Sequence, residues 1–284
     1  MLSIPPRFRY ICLVYLEYYG LGEPPFDITP NPKFIYFSAK HREAYNHMLY
    51  GIRERKGFVQ LTGEVGAGKT TVCRSALDAL GDRWETALIF NPVLDPDLLI
   101  KSIAMEFGLK PRGMDRLETL AILNEFLLQL AAKERDAVLI IDEAQDLTDA
   151  LLEQVRLLSN LETYERKLLQ IVLMGQPELR DRLNAYGMRQ LRQRITVRYH
   201  LRSLSLVEVG QYVRHRLHIS GSRGAPHFTM AAIWRIHRYS TGIPRLVNAV
   251  CDKCLLAGYV QQRETIDFRM VGVAIRELEG KGGA

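Results

Sequence analysis

Residues 61–71, LTGEVGAGKTT, decide how the rest of the chain is read. Gly63-Glu64-Val65-Gly66-Ala67-Gly68-Lys69-Thr70 fills every position of the phosphate-loop pattern, a glycine-rich turn closing on Lys-Thr. Glycines at these places let backbone N–H groups turn inward onto phosphate oxygens at the positive end of a following helix. Lys69 is expected on the β- and γ-phosphates, Thr70 offers a hydroxyl to magnesium, and Thr71 completes the nucleotide-facing run. The context fits: an apolar FVQL precedes the loop as a strand and TTVCRSALDAL follows it as a helix.

Outward from the loop, short apolar runs alternate with amphipathic stretches. TALIF (86–90), AVLII (137–141), LLQIVLM (168–174) and ITVRYHL (195–201) read as further strands, and LETLAILNEFLLQLAAKE and ALLEQVRLLSNLE as helices between them. Five strands separated by helices predict an α/β domain, a parallel sheet sandwiched by helices, over 39–204. Beyond it no strand is expected. Ser205 and Glu208 form a capping-box pattern that opens a small all-helical domain over 205–280, with later helices near 229–240, 244–260 and 267–279. Residues 1–38, rich in proline and aromatics, read as an extended N-terminal segment, and 281–284 as a flexible tail.

The second chemistry-bearing stretch is VLIIDEAQDL. Its apolar strand ends on Asp142 and Glu143, where charge is costly unless used. Asp142 is expected in the magnesium shell, and Glu143 beside an attacking water. A kinase would not need the second acid, and no guanine signature is present, so ATP hydrolysis is favoured. Gln176, in VLMGQPEL, falls just past a strand and suits a sensor of the γ-phosphate, with a solvent-facing turn as the rival reading. Asn91 is weighed in the same way, as a hydrogen-bond partner for Glu143 or a turn residue. Arg189, Arg192 and Arg194 cluster in RQLRQRITV. They read as a finger offered to a neighbouring subunit's nucleotide, Arg194 and Arg192 foremost, or as a basic patch for nucleic acid. Arg245, in STGIPRLVNAV, begins a helix where a cation is electrostatically disfavoured, so a role on the γ-phosphate is considered beside a solvated surface role.

The 284 residues are 47% hydrophobic and 25% charged, ordinary globular composition that leaves room for two domains, and the net charge of +6 is modest. YICLVYL near the N-terminus is too short to span a bilayer and lacks a cleavage pattern for a signal peptide. Of four cysteines, Cys251 and Cys254 form a CxxC, which invites a zinc or redox reading. The pair lies in a helical run with no second ligand pair, so packing is expected instead. Disulfides are not expected without a secretory signal.

Phosphate loop, Asp-Glu strand end, polar sensor, arginine run and Gly-x-Pro-Arg helix, in this order, resemble an AAA+ ATPase. More narrowly, YLEYYGLGEPPFDITPNPKFIY, LLSNLET, GQPEL, LRQRI and YSTGIPRLVNAVCDKCLLAGY resemble the ExeA/GspA type, the ATPase of the general (type II) secretion pathway. The resemblance implies a helical lid, ATP and Mg2+ as ligands, nucleotide between subunits, and a homo-oligomer in a ring or filament. It implies a cytoplasmic protein, peripheral to the inner membrane, with a membrane-protein partner, because the membrane helix and periplasmic domain of that family do not follow here. TniB/TnsC-type ATPases, which bind DNA and guide transposases, share the GQPEL turn and the arginine run. Under that reading DNA is the partner, with Arg198, Arg202, Arg214 and Arg216 in support. A slow nucleotide-dependent switch with protein partners alone is the third reading.

Overall fold

A computed structural model describes residues 14–27, 31–90 and 95–281. Cys12 and Asn91 lie outside the described residues. The chain divides into two compact units, one formed by Ala39–Arg202, the other by the residues up to Ser38 with those from Ser203 onward.

The first unit is built on five parallel strands: β1 (Phe58–Gly63), β2 (Trp84–Ile89), β3 (Asp136–Ile141), β4 (Leu169–Gly175) and β5 (Ile195–Leu201). Their order in the sheet is β2-β3-β4-β1-β5. The interior strands β1, β3 and β4 are buried along their whole length, because helices cover both faces. Alternation then sorts the side chains. Ala137, Leu139 and Ile141 of β3, with Leu169, Ile171 and Leu173 of β4, enter the larger core. That core is closed by α3 (Pro96–Glu106), α4 (Arg116–Ala132), α5 (Asp149–Leu158) and α6 (Pro177–Asn184). Val138, Ile140, Val172 and Met174 face the other way, against α1 (Ala39–Arg53) and α2 (Lys69–Asp78). A short α7 (Arg189–Arg194) leads directly into β5.

At the N-terminal end of the sheet, buried Asp136 opens β3 among three arginines. Arg55 grips it with Nε and Nη2 at 2.9 and 3.0 Å, and Arg83 and Arg166 stand at 3.5 and 3.7 Å. The bidentate bond raises the Arg55 pKa above its ordinary value.

The second unit contains α8 (Leu206–Ile219), α9 (Met230–Ser240), α10 (Pro244–Val260) and α11 (Phe268–Leu278). Ser205 caps α8 as the sequence predicts, its side chain and that of Glu208 bonding reciprocally to backbone N–H groups. The expectation of no strand here is corrected. Two-residue strands β6 (His227–Phe228) and β7 (Thr265–Ile266) pair in parallel, too short to leave an alternating pattern in the sequence. The expectation of an extended N-terminal segment is also corrected in part: residues 14–19 are helical. Tyr15, Leu16 and Tyr19 form an apolar stripe that joins Phe26 in one core with Val213, Val250 and Leu255.

Cys251 and Cys254 are fully buried in that core on α10, unbonded, and burial raises both thiol pKa values. They pack. Arg216 is likewise inside. Its guanidinium donates to the Pro25 carbonyl and to the Tyr212 hydroxyl and lies over the Phe34 ring, so the expectation that Arg216 offers surface charge to DNA is corrected. Arg198, Arg202 and Arg214 are exposed. No helix among the described residues is long and apolar enough to cross a membrane.

Candidate nucleotide site

The phosphate loop joins β1 to α2 at the C-terminal end of the sheet. Gly66 and Gly68 take positive φ values of 78° and 100°, which glycine adopts without steric cost. Gly68 has a second constraint: a Cβ there would meet His41 Nε2 at 2.9 Å. His41, buried on α1, stands 3.0 Å from the Ala67 carbonyl and backs the loop. Helix α2 starts at Gly68 without any side-chain cap. Its first N–H groups therefore have neither an intrahelical partner nor a capping side chain, the condition in which a helix end takes an anion. Glu64 and Val65 are exposed at the loop tip, and Gly63 is packed so tightly that a Cβ would lie 2.6 Å from the Leu201 carbonyl.

Lys69 is nearly buried and its ammonium folds back onto the Gly63 and Glu64 carbonyls at 2.8 and 3.1 Å. Burial lowers its pKa from the ordinary lysine value, while Glu143 and Asp142 pull the other way. Thr70 donates from Oγ1 to Asp142 Oδ2 at 3.0 Å, bringing together the hydroxyl and carboxylate assigned to one metal. These are hard oxygen donors at a single point, the kind magnesium takes. Thr71 accepts from Ser75 at its carbonyl, 3.0 Å away, within the first turns of α2.

Strand order does the rest. Because β4 lies between β3 and β1, the residue after β4 comes beside the residue after β3. Gln176 caps α6 with its backbone, yet its side chain makes no capping bond; Nε2 reaches Glu143 Oε2 at 3.3 Å instead. Two further residues join that were not singled out in the sequence. Gln145 Nε2 donates to the same Glu143 oxygen at 2.8 Å, and Arg182 of α6 donates to the Gln145 and Leu147 carbonyls at 2.7 and 2.6 Å. Gln145 sits in the DEAQ run, and its position two residues after Glu143, the acid expected beside the attacking water, was the available signal. Nothing local marks Arg182.

The arginine run lies elsewhere. In the β1–β5 register Phe58 is level with Ile195 and Gly63 with Leu201. Arg194, one residue before β5, is therefore at the opposite end of the sheet from the loop, about 20 Å away at the usual rise per residue. Arg194 Nη1 donates to Asn160 Oδ1 at 2.6 Å and to Ser159, and Arg192 donates to the Asn184 carbonyl at 3.2 Å. The Arg189 side chain is exposed and makes no hydrogen bond or ion pair among the described residues, while its backbone N–H donates to the Tyr186 carbonyl. Arg245, in the other unit, is exposed in the first turn of α10.

Comparison with known proteins agrees with this architecture. A family model described as "AAA domain" matches residues 52–183. General secretion pathway protein A of Aeromonas hydrophila is 48% identical over 270 residues, 94% of this chain. The chain spans about half of that relative's length, 49% of it. Among solved structures, the Aeropyrum pernix ORC2 protein aligns with a TM-score of 0.64 at 15% identity, covering 90% of this chain and 71% of that one. A chain of Drosophila ORC bound to DNA gives 0.67 at 17%, covering 98% and 68%. The Thermotoga maritima RuvB branch migration motor gives 0.55 at 17%, covering 85% and 72%. At such identities these structures speak for the fold alone. Phosphate loop, sheet order and the family match together give this chain an AAA domain over residues 52–183, in a stretch of 270 residues homologous to general secretion pathway protein A.

Proposed function

We propose that the protein hydrolyses ATP with magnesium and uses the cycle to change its state of assembly, in building a secretion or cell-envelope apparatus. The observation that carries the chemistry is the convergence of Lys69, the Thr70–Asp142 pair and Glu143 with Gln176 at one end of the sheet. Backbone N–H groups of residues 63–70 would hold the phosphates, and Lys69 would leave the carbonyls it now bonds for the terminal phosphates. Thr70 and Asp142 would hold magnesium, which when bound neutralises charge on the transferring group. Glu143 would accept a hydrogen bond from water and orient it, and Gln176 would report whether the γ-phosphate is present.

A finger from Arg194, Arg192 or Arg189 has to act on another subunit's nucleotide, since the run stands at the far end of its own sheet. This supports a homo-oligomer, ring or filament, with Arg245 contributing to the γ-phosphate from the helical unit. Arg192 and Arg194 would have to leave their present partners, whereas the Arg189 side chain has none among the described residues. Kinship to a general secretion pathway protein supports the envelope role; a cytoplasmic position peripheral to the inner membrane and a membrane-protein partner belong to the same proposal. The second reading is an ATP-dependent DNA-binding regulator, favoured by the exposed Arg198, Arg202 and Arg214.

Light scattering of the Glu143→Gln protein with ATP and magnesium, with and without duplex DNA, separates them. Oligomers indifferent to DNA are expected. Assembly on DNA alone, weakening steeply with salt, would establish the regulator reading instead.

A further inference from the structure

We infer that Gln145 is a positioning residue that clamps one oxygen of Glu143 and leaves the other to meet water. This rests on the reading of Glu143 as the water-orienting carboxylate. Glu143 occupies the left-handed region, φ 50° and ψ 39°, an arrangement that costs a non-glycine residue free energy and persists where its surroundings impose it. The surroundings are a 3-10 turn, Ala144–Asp146, held from beneath by Arg182. That guanidinium bonds the Gln145 and Leu147 carbonyls, and its other arm reaches Asp149 Oδ1 at 2.6 Å.

The turn projects the Gln145 amide between two strand ends. Its Oε1 accepts from the Gln176 backbone N–H at 3.0 Å. A backbone N–H only donates, so the amide has one orientation, and Nε2 must face Glu143. It does, at 2.8 Å from Oε2. The Gln176 amide adds its bond to that same oxygen. Among the described residues Oε1 of Glu143 takes no hydrogen bond. One carboxylate oxygen is therefore fixed by two donors, and among the described residues the other has no donor and can accept. Gly175, ending β4, makes the room: a Cβ there would stand 2.7 Å from Gln145 Oε1. The same amide ties Gln176 to Glu143, so a movement of the sensor would move the carboxylate with it.

The test uses the full chain with Gln145→Glu, which keeps the oxygen facing Gln176 but sets a second carboxylate against Glu143, and with Gln145→Met, similar in length and uncharged. We expect kcat for ATP to fall about 10- to 100-fold in either variant, the scale of a misplaced reacting group. KM should stay within about twofold, and the unfolding transition should be retained in the variant used. In a Glu143→Gln background the same changes should lower the residual rate no further. Unchanged kcat in a folded variant, or an equal loss in the Glu143→Gln background, overturns the inference while leaving the Glu143 reading intact. Normal turnover by Glu143→Gln alone removes that reading, and this inference with it.

Discussion

Lys69 and Thr70 are neighbours with opposite requirements in the folded chain. The ammonium is buried against two carbonyls and its charged form is disfavoured there, so an incoming polyphosphate offers it a better partner than it has. Lys69→Ala should therefore weaken ATP binding at least about 10- to 100-fold, the value of one or two charge-assisted hydrogen bonds, with little loss of fold. Titration with ATP and a thermal melt check both halves. A second titratable residue tests the helical unit. Asp252 accepts from the Tyr15 hydroxyl at 2.8 Å, and burial raises its pKa above the ordinary aspartate value, with Asp27 acting in the same direction and the Tyr15 bond and Lys253 against it. Between the ordinary and the raised value the folded state holds a proton that the unfolded state has released, so stability falls as pH rises through that window. Asp252→Asn keeps an acceptor for Tyr15 and removes the penalty. Its denaturation midpoint should exceed that of the parent at pH 7 and approach it near pH 3, and equal midpoints at pH 7 would refute the account.

At the scale of elements, the turn between α9 and α10 depends on one glycine. Gly242 has φ of 78°, its carbonyl accepts from the Leu204 N–H at 2.9 Å, and an added Cβ would fall 1.9 Å from the Leu204 carbonyl oxygen. No rotamer relieves a clash with backbone. Gly242→Ala should destabilise the helical unit by about 3 kcal/mol or more, from left-handed strain and overpacking together. Trp234 lies in that unit and Trp84 in the other, so fluorescence with either tryptophan replaced by phenylalanine can follow each unit in urea. A shift confined to the Trp234 signal is expected. Legibility in the sequence follows the same scale. The strands were readable because buried parallel strands leave contiguous apolar runs, and the α8 capping box because both members lie within four residues. The helical turn at 14–19 was not, since its apolar stripe gains its meaning from packing against helices two hundred residues away. The pair β6–β7 was not, because two residues carry no period.

At the scale of the whole molecule, the register of β5 on β1 separates the arginine run from its own phosphate loop. An Arg194→Ala or Arg189→Ala chain mixed with a Glu143→Gln chain should regain ATPase activity that neither has alone, if each intact group meets its counterpart across a subunit boundary. Hydrolysis that stays at the level of the separate variants at every mixing ratio, in assemblies of unchanged size, would count against a finger in trans. Of the two, the Arg189 side chain has no bond to a described residue to break first, and its variant should show the clearer recovery.

What the sequence determined by itself was everything set by short spacing: a phosphate loop between strand and helix, an acid pair at a strand end, and a five-stranded α/β unit followed by helices. Each depends on residues within one turn or one strand, where periodicity and backbone chemistry act directly. The tertiary structure alone decided which strand ends are neighbours. Placing β4 between β3 and β1 sets Gln176 against Glu143 across 33 positions of chain and inserts Gln145 between them. Packing within the helical unit likewise buries Arg216, while Arg189 stays in solvent, although both read as surface arginines. Pairing across such distances depends on how whole faces pack, and no local pattern records it.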